Sequence, residues 1–361
     1  MGTTKFGIAS CAEFVGSSQK VNSACLSYPS LGYSSLSFAG RFGSAAFRRS
    51  RSTVALRASF TPVSVRVSAS SATVNEVHRG EGMPNGELEA SSTRVIGASD
   101  LLIVGPGVLG RIVAEIWLKE HPGSQVYGQT LTSDHHNELI ELGISPCLKG
   151  TQVAHKFPYV IFCAPPSRNS DYPGEVREAT LKWNGEGSFL FTSSSATYDC
   201  SDNGYCDEDT PVVPVGRSPR TDKLLNVEKV VLEADVIRTN LLNLQYKAGR
   251  GAHTYWLKQG SVDIRPDHIL NLIHYEDAAS LAISILKRKL HGRIFLGCDN
   301  NPLSRKEVME LVNKSGKYNQ KFEGFTGTTG PLGKKLNNSK TRAELGWEPK
   351  YPSFAQFLES L

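Results

Sequence analysis

The sequence predicts an α/β protein built on a doubly wound parallel sheet, with a smaller C-terminal lobe. A short apolar run, a glycine-rich turn and an amphipathic helix pattern follow one another between residues 101 and 117. A dense apolar run at 159–164 is typical of a parallel strand that is buried on both faces. Strand and helix patterns then alternate as far as residue 233, which is the order that βαβ units require.

The segment 1–75 differs in composition from the rest of the chain. It is rich in Ser and Ala, and it has eight Lys and Arg residues but a single acid, Glu13. It has no sustained apolar run, so it is not a secretory signal, and an Arg-rich, Ser-rich, acid-poor N-terminus is typical of an organelle transit peptide. We predict a disordered transit peptide over 1–75, directed to the chloroplast stroma because Ser and Thr are abundant; a disordered tail without a targeting role is the alternative. The polar residues 76–97 are predicted to be a linker.

The net positive charge of the chain comes from this N-terminal segment. The whole chain has a formal net charge of +5; eight basic residues less one acid give +7 for 1–75, which leaves −2 for residues 76–361. A body of that charge gives no reason to expect a nucleic-acid-binding surface, so no nucleic-acid partner is predicted. No membrane insertion is predicted either, because Arg111 and Glu115 interrupt the apolar run around the glycine turn well short of a spanning length.

Five of the seven cysteines follow residue 75, without a CxxC pair or a Cys/His metal spacing. No metal site is predicted, and the adjacent His135 and His136 are interpreted as the solvated start of a helix. The odd number of thiols argues against a disulfide framework. Cys200 and Cys206 flank one loop, and two unpaired thiols are the favoured interpretation, with a redox-switched disulfide that alters loop closure as the alternative.

The glycine turn, Gly105-Pro-Gly-Val-Leu-Gly110, predicts a dinucleotide site. Its first glycine permits a tight reversal, the second lets the backbone approach a pyrophosphate, and the third lets helix and strand pack closely. The N-terminus of the following helix offers N–H groups and the positive end of its dipole to the phosphates. A chance glycine turn is the weaker interpretation, because a strand pattern precedes the turn and a helix pattern follows it. The predicted cofactor contacts of the turn are Gly105, Pro106, Gly107, Val108, Leu109 and Gly110.

Two further strand ends complete the predicted cofactor site. The second strand, at 125–127, leads to Gln129 and Thr130, where dinucleotide folds often place an acid that binds the adenosine ribose. The predicted cofactor is NAD or NADP. A carboxylate here would repel a 2′-phosphate, so its absence favours NADP weakly, although no Arg follows in this stretch to hold that phosphate. At the end of the strand 159–164 the further predicted contacts are Ala164, Pro165 and Pro166.

The remaining elements follow in order. Helices are predicted over 136–142, 175–183, 219–233 and 304–312, and a strand is predicted over 188–191. Pro219 suits the first turn of its helix, and Ser304 with Glu307 three residues later forms a capping-box pattern. The strand leads into a run of hydroxyl side chains that ends at Tyr198.

Five segments in this order resemble the extended short-chain dehydrogenase/reductase superfamily, the NAD-dependent epimerase/dehydratase group. They are the glycine turn, Phe191-Thr-Ser-Ser-Ser-Ala-Thr-Tyr198, Gly204-Tyr-Cys-Asp-Glu-Asp-Thr-Pro211, Asn271-Leu-Ile-His-Tyr-Glu-Asp-Ala-Ala279, and 335–349 with its Leu-Gly-Trp-Glu-Pro end. The chain is most similar to the atypical subgroup that includes the bacterial YeeZ-type proteins. The resemblance implies a Rossmann domain over 98–361, with a substrate lobe mainly from 240–270 and 300–361, and a homodimer formed through core helices as the candidate assembly.

In that family a Ser or Thr works with a Tyr-x-x-x-Lys pair on one helix, where the ammonium lowers the pKa of the phenol so that it serves as acid and base. The resemblance puts Arg220 at the Tyr position and Leu224 at the Lys position, and no Tyr-x-x-x-Lys occurs anywhere in the chain. The glycine turn also departs from the family, because Val104 stands where GxxGxxG has its first glycine. The catalytic candidates are Ser194, Ser195, Tyr198 and His274, with Tyr246 and Lys247 as further relocated acid/base groups.

Three functions stay open at this point. The first is an NAD(P)-dependent oxidoreductase or epimerase-like enzyme that acts on a small polar substrate such as a nucleotide-linked sugar. The second is a cofactor-binding sensor or scaffold, in which Ser194 and Ser195 only cap the strand end and its turn. The third is a plastid RNA-binding protein that reuses the fold, which the negative body charge disfavours. Cations around Arg250, Arg265 and His268 suit an anionic substrate, or alternatively form a salt-bridged surface.

Overall fold

The computed structural model describes residues 96–151, 155–166, 171–239 and 244–361. The transit peptide predicted over 1–75 lies outside these residues, as does the predicted linker 76–97 apart from its last two residues. No helix within the described ranges is long and apolar enough to cross a membrane.

The described residues form fifteen short strands and nine helices. In chain order the strands are β1 Leu101–Val104, β2 Val126–Thr130, β3 Ile144–Leu148, β4 Phe157–Phe162, β5 Trp183–Thr192, β6 Gly204–Cys206, β7 Ile237–Thr239, β8 Leu244–Tyr246, β9 Ser261–Val262, β10 Ile269–Leu270, β11 Leu272–His274, β12 Ile294–Phe295, β13 Leu303–Ser304, β14 Gly324–Phe325 and β15 Lys334–Leu336. The helices are α1 Val108–Glu120, α2 His136–Glu141, α3 Tyr172–Thr180, α4 Pro219–Glu233, α5 Ala252–Gln259, α6 Tyr275–Lys287, α7 Arg305–Ser315, α8 Ser339–Leu345 and α9 Phe354–Ser360.

Seven strands form one parallel sheet in the order β12-β7-β5-β4-β1-β2-β3, which confirms the predicted fold class. β1 pairs with β2 on one side and with β4 on the other, so that Leu101 lies opposite Val126 and Tyr159. Because successive strands are added outward from β1 in both directions, β1 is the switch point of the sheet. The crevice outside the carboxyl end of that strand is where sheets of this kind bind ligands, and the glycine turn lies there.

Helices cover both faces of the sheet, because its central strands are apolar on both sides. Every residue of β4 is buried, as expected of a parallel strand between two helical layers. α1 and α6 pack on one face around Trp117 and Ile285, and α3 and α4 pack on the other around Tyr172 and Val227. The sheet therefore holds its carboxyl edge rigidly, and the candidate site lies on that edge.

The helix predicted over 175–183 begins and ends earlier in the structure. It starts at Tyr172, because the side chain of Asp171 accepts the N–H of Gly174 as an N-cap. It ends at Thr180, since Trp183 already pairs with Phe157 at the start of β5. The strand predicted over 188–191 is accordingly the end of a ten-residue strand.

α4 and α7 begin at capping residues. The Oγ of Ser218 accepts the N–H of Thr221, and Pro219 occupies the first turn of α4. The predicted capping box of α7 is present: Ser304 and Glu307 each bond to the other's backbone N–H. Both helices therefore start within a residue of their predicted positions.

A further apolar core lies apart from the two sheet faces. It includes Trp256 of α5, Met309 of α7 and Phe357 of α9, together with residues of β10 and β11. Its fully buried members lie between Tyr246 and Leu272 and between Val308 and Leu358. This core forms the smaller C-terminal lobe.

Candidate functional site

The turn between β1 and α1 brings its backbone against the end of β4. Gly105 has a φ of +78°, in the left-handed region that favours glycine. A Cβ at this position would lie 2.7 Å from the Cα of Ala164, so any side chain here would collide with backbone. The N–H of Gly105 donates to the carbonyl of Gln129 at 2.9 Å. The first glycine of the turn therefore joins the ends of β1, β2 and β4.

The other two glycines of the turn have different surroundings. A Cβ on Gly110 would lie 2.9 Å from the Cγ2 of Ile103, so this glycine allows α1 to pack closely on β1. A Cβ on Gly107 would meet only the carbonyl oxygen of Gly105, at 4.0 Å, and Gly107 is exposed. No packing accounts for a glycine at 107, and a ligand can approach the backbone there.

α1 begins beside this open space without a side-chain cap and without an acid in its first turn. Val108 is half-buried and Leu109 is in the core, so these residues offer backbone N–H groups rather than side chains. Pro106 is buried and has no N–H; its ring packs over Gly128 of β2. Backbone donors, the positive end of a helix dipole and an open approach together fit the pyrophosphate of a dinucleotide.

The end of β2 carries no carboxylate. Gln129 is buried, and its Oε1 accepts from the Nζ of Lys182 at 2.7 Å. The Oγ1 of Thr130 lies 2.7 Å from the Nε2 of His136 in α2. The two residues predicted to contact the adenosine ribose, Gln129 and Thr130, are thus already hydrogen-bonded to Lys182 and His136. Neither side chain offers the pair of acceptor oxygens with which a carboxylate binds the ribose hydroxyls.

Sequence reasoning missed a cation beside these residues. Arg111 directly follows Gly110 and extends from α1, with its Nη1 2.6 Å from the Oε2 of Glu138 and its Nε 3.4 Å from the carbonyl of Pro106. Its guanidinium therefore lies between the glycine turn and α2, although the chain has no Arg directly after β2. The signal that could have found it is a cation in the first turn of the helix that follows the glycines.

The residues that follow β4 are held by α3 and α4. The carbonyl of Ala164 accepts from the hydroxyl of Tyr172 at 2.9 Å, and that of Pro166 accepts from the Nζ of Lys223 at 2.8 Å. Pro165 lies between them and is exposed. Because Ala164 also contacts Gly105, the structure brings these three predicted contacts to the same edge as the glycine turn.

β5 ends in the turn that carries the two serine candidates. Ser194 is the N-cap of a 3-10 turn, Ser195–Thr197, and its Oγ accepts the N–H of Ala196 at 3.2 Å. In the part of the chain that the structure describes, the hydroxyl hydrogen of Ser194 has no acceptor. Ser195 is half-buried. Both serines lie at the carboxyl end of β5, two strands from β1.

A buried ion pair underlies this turn, and it involves the candidate Tyr198. Arg238 of β7 pairs with Glu228 of α4, whose Oε1 also accepts from the hydroxyls of Ser193 and Thr197, at 2.8 Å and 3.1 Å. The Nη2 of Arg238 donates to the hydroxyl of Tyr198 at 3.2 Å, and Tyr198 is 1% exposed. The phenol of Tyr198 is therefore bound in the interior, beneath the serines.

The register of α4 shows which side chains stand at the two positions where the resemblance expects the Tyr/Lys pair. Leu224, at the expected Lys position, is buried in the protein, where an ammonium would lose its water. Arg220, at the expected Tyr position, is exposed. Lys223 instead reaches the carbonyl of Pro166, with its Nζ 5.9 Å from the ring centre of Tyr172. The lysine of this helix thus stands one position before the Lys position that the resemblance expects.

Another ammonium reaches the serine turn from the C-terminal lobe. The Nζ of Lys334 in β15 donates to the carbonyls of Ser195 and Tyr198, both at 2.8 Å. Burial lowers the pKa of Lys334. The adjacent Lys335 lies on the other face of the strand, with its Nζ 5.4 Å from the ring centre of Tyr205. Sequence reasoning also missed Lys334, because no local pattern connects it with a turn 139 residues earlier.

The candidate His274 is the N-cap of α6. Its Nδ1 accepts the N–H of Glu276 at 3.2 Å, and its ring packs against Tyr246 and Tyr351. Burial lowers the pKa of His274 to about 4, so the ring is neutral at pH 7, and burial raises the pKa of Tyr246. Within the described ranges, no hydrogen bond joins His274 to the serine turn. The structure therefore shows His274 as the cap of α6 and does not bring it to the serine candidates.

The two cysteines of the loop after β5 are free thiols. The Sγ of Cys200 donates to the carbonyl of Tyr205 at 3.2 Å. Cys206 is buried beside Cys298 and Leu336, and burial raises its pKa to about 11. Among the residues that the structure describes, no group of three His, Cys, Asp or Glu side chains could hold a metal ion.

Two of the cations predicted for the lobe are already engaged. Arg265 contacts Asp267 through Nε and Nη2, at 2.7 Å and 2.8 Å, and donates to the carbonyl of Gly330 at 2.6 Å. The Nδ1 of His268 lies 2.9 Å from the carbonyl of Pro331. Arg265 thus forms part of a salt-bridged surface, which was the second of the two predicted interpretations.

No protein-family model and no curated protein sequence matches the chain. Solved structures match its fold. A functionally unknown conserved protein from Silicibacter pomeroyi is 20% identical, with a TM-score of 0.61 over 73% of this chain and 97% of that chain. The dTDP-glucose 4,6-dehydratase of Bacillus anthracis, solved with NAD, is 14% identical, with a TM-score of 0.58 over 72% of this chain and 94% of that chain.

A third similar structure is the UDP-glucose 4-epimerase of Thermotoga maritima, solved with UDP-glucose. It is 14% identical, with a TM-score of 0.56 over 72% of this chain and 96% of that chain. The likeness extends over nearly the full length of these proteins. At such low identities it shows a shared Rossmann-like α/β fold.

Proposed function

We propose that the chain binds NAD or NADP at the carboxyl edge of its parallel sheet, as an oxidoreductase or epimerase-like protein of the epimerase/dehydratase family. The observation that carries the proposal is the geometry of the glycine turn. Gly105 and Gly110 are explained by contacts within the protein, whereas Gly107 leaves open space directly before the uncapped N–H groups of α1, where a ligand would fit. The presence of NAD in the similar dehydratase structure supports the same assignment.

We assign separate roles to the residues at the carboxyl edge of the sheet. The turn and the N-terminus of α1 bind the pyrophosphate through backbone N–H groups. The bound nicotinamide supplies a hydride acceptor or donor. The hydroxyls of Ser194 and Ser195 hold a substrate hydroxyl or carbonyl, since Ser194 has a hydroxyl hydrogen to donate. Tyr198 has no direct part, because its hydroxyl is bonded to the buried Arg238.

The substrate that we propose is a small polar molecule, with nucleotide-linked sugars as the first candidates. One similar structure is a UDP-glucose 4-epimerase that was solved with UDP-glucose, and another is a dTDP-glucose 4,6-dehydratase. The ammonium of Lys334 beside Ser195 adds positive charge at the serine turn, which favours a substrate with an anionic group.

A second candidate function is a sensor or scaffold that binds the cofactor with little turnover. Two observations favour it: Leu224 is packed where an ammonium would stand, and the phenol of Tyr198 is enclosed with Arg238. Proton transfer needs a titratable side chain within reach of the substrate. Leu224 has no such group, and the hydroxyl of Tyr198 is bonded to Arg238 in the interior. Binding without turnover would be the signature of this function.

The test uses the full chain. NADPH and NADH are titrated by fluorescence, and UDP-glucose, UDP-glucuronic acid and dTDP-glucose are then screened for hydride transfer and epimerisation. Gly107→Asp places a carboxylate in the open space, so it should abolish cofactor binding without unfolding the protein. The matched control is Gly324→Asp, at a glycine whose Cβ position is also open but lies in β14. Equal binding by wild type and Gly107→Asp would refute the dinucleotide site.

We also propose that residues 1–75 direct the protein to the chloroplast stroma, on the strength of their Arg-rich, Ser-rich, acid-poor composition. Fusion of this segment to a fluorescent protein should give import into isolated chloroplasts and cleavage of the segment. A fusion that stays outside the organelle would contradict the proposal. The oligomeric state, for which we propose a homodimer, can be measured by sedimentation.

A further inference from the structure

The end of β2 is where dinucleotide folds distinguish NAD from NADP. In such folds an acid at this place binds the ribose diol of NAD and repels the 2′-phosphate of NADP. Here the amide of Gln129 is bonded to Lys182, and the hydroxyl of Thr130 lies beside the ring of His136. β2 therefore lacks the group that would exclude a 2′-phosphate.

Arg111 adds an attractive group beside α2, the helix that follows β2 and that also contacts Thr130 through His136. Its guanidinium has two contacts in the protein, from Nε to the carbonyl of Pro106 at 3.4 Å and from Nη1 to the Oε2 of Glu138 at 2.6 Å. Across the described ranges its Nη2 has no partner, and the side chain is 29% exposed. An Arg that is anchored in this way retains N–H groups in a planar fork that matches phosphate oxygens.

The pairing of Arg111 with Glu138 does not prevent this use. The side chain of Glu138 is 53% exposed, and an exposed ion pair of this kind contributes little. Glu138 also bonds to His135, so it keeps a partner if Arg111 is shared. A phosphate group at pH 7 carries more negative charge than a carboxylate, so it can share or take the guanidinium.

We propose that Arg111 binds the 2′-phosphate of NADP, with Thr130 and His136 as neighbouring hydrogen-bonding groups, and that the chain is selective for NADP over NAD. The inference rests on the proposed cofactor function and adds a selectivity and the residue that sets it. It also distinguishes this chain from the similar dehydratase, which was solved with NAD.

The test compares the affinities of the full chain for NADPH and NADH in wild type and three variants. Wild type should bind NADPH more tightly, and Arg111→Gln should weaken NADPH binding by about 10- to 100-fold, the loss expected of one charge-assisted contact, with NADH affinity kept. Glu138→Gln frees the guanidinium and should strengthen NADPH binding. The control is Lys119→Gln, an exposed cation in the last turn of the same helix, which should change neither affinity.

A second measurement isolates the adenosine end. Adenosine 2′,5′-bisphosphate should raise the Tm of the wild type more than 5′-AMP does, and Arg111→Gln should remove the difference. Equal affinity of the wild type for NADPH and NADH, or an equal loss of both in Arg111→Gln, would overturn the inference while leaving cofactor binding intact. Binding of neither dinucleotide would overturn both the inference and the proposed function.

Discussion

Arg238 and Glu228 form an ion pair whose side chains are 3% and 4% exposed, and the carboxylate also holds the turn that carries Ser194 and Ser195. Two charges in the interior lose their hydration, so the pair is tolerable only with good geometry and further hydrogen bonds. Ser193 and Thr197 supply those bonds to the carboxylate. The pair therefore fixes the shape of the serine turn as well as the contact between α4 and β7.

Replacing Glu228 by Gln should destabilise the fold by about 3–5 kcal/mol, because Arg238 would remain as an uncompensated buried charge. Urea unfolding measures this loss, and the double variant Glu228→Gln/Arg238→Met should recover part of it. The control is Glu233→Gln, at a residue of the same helix whose side chain is 62% exposed. This surface change should cost about 0.5 kcal/mol or less. Similar losses in the two single variants would contradict the buried pair.

Replacing Lys334 by Met should loosen the serine turn, since the carbonyls of Ser195 and Tyr198 both lose a donor. We expect a loss of about 1–3 kcal/mol in unfolding free energy. Faster hydrogen exchange at the amides of 195–198 is the local measurement. Lys335→Met, on the opposite face of β15, is the control and should leave exchange in the turn unchanged. Unaltered exchange in Lys334→Met would show that the turn holds its shape without this lysine.

The protein should lose stability as the pH falls from about 6.5 toward 4, because burial lowers the pKa of both His253 and His274 to about 4. In that window the unfolded chain binds protons at these positions and the folded chain does not. Each histidine adds a slope of up to about 1.4 kcal/mol per pH unit. His274→Gln should make the pH dependence of urea unfolding shallower, and an unchanged slope would contradict its burial as a neutral ring.

Asp299 opposes this effect. Burial raises its pKa to about 8, so between about pH 4 and 8 the folded state holds a proton that the unfolded state has lost. The free energy of unfolding therefore increases as the pH falls from about 8 toward 4, because the folded state takes up this proton and the unfolded state does not. Asp299→Asn should therefore make the acid-induced loss steeper, and it should cost little at pH 7, where the native carboxyl is already neutral. A variant as pH-sensitive as wild type would exclude this role.

Cys200 and Cys206 should remain reduced under mild oxidation, because burial keeps the Cys206 thiol protonated and the thiolate is the reactive form. Mass spectrometry of the protein after treatment with oxidised glutathione should show both thiols free. Cys206→Ser provides the reference spectrum. A Cys200–Cys206 disulfide that forms readily would instead favour the redox switch considered from the sequence.

The glycine turn and the strands on either side of it could be predicted from sequence because their signals are local. The glycines of 105–110 and the apolar runs of β1 and β4 are short patterns whose geometry follows from backbone sterics and burial. The Tyr198 hydroxyl could not be placed in this way, because its partner Arg238 is 40 residues away. The position of Arg111 could not be predicted for a similar reason: it belongs to α1 but contacts Glu138 of α2, 27 residues later.

The contact of Lys334 with Ser195 also determines when the serine turn can be completed during folding. The glycine turn and the end of β4 come together within about sixty positions of chain, whereas Ser195 waits for a lysine 139 positions later. During synthesis the glycine turn and the end of β4 can therefore come together while the serine turn is still without its ammonium. A chain that ends before β15 would thus contain the glycine turn but lack the donor to the carbonyls of Ser195 and Tyr198, so the serine turn is complete only after β15 has paired with β6.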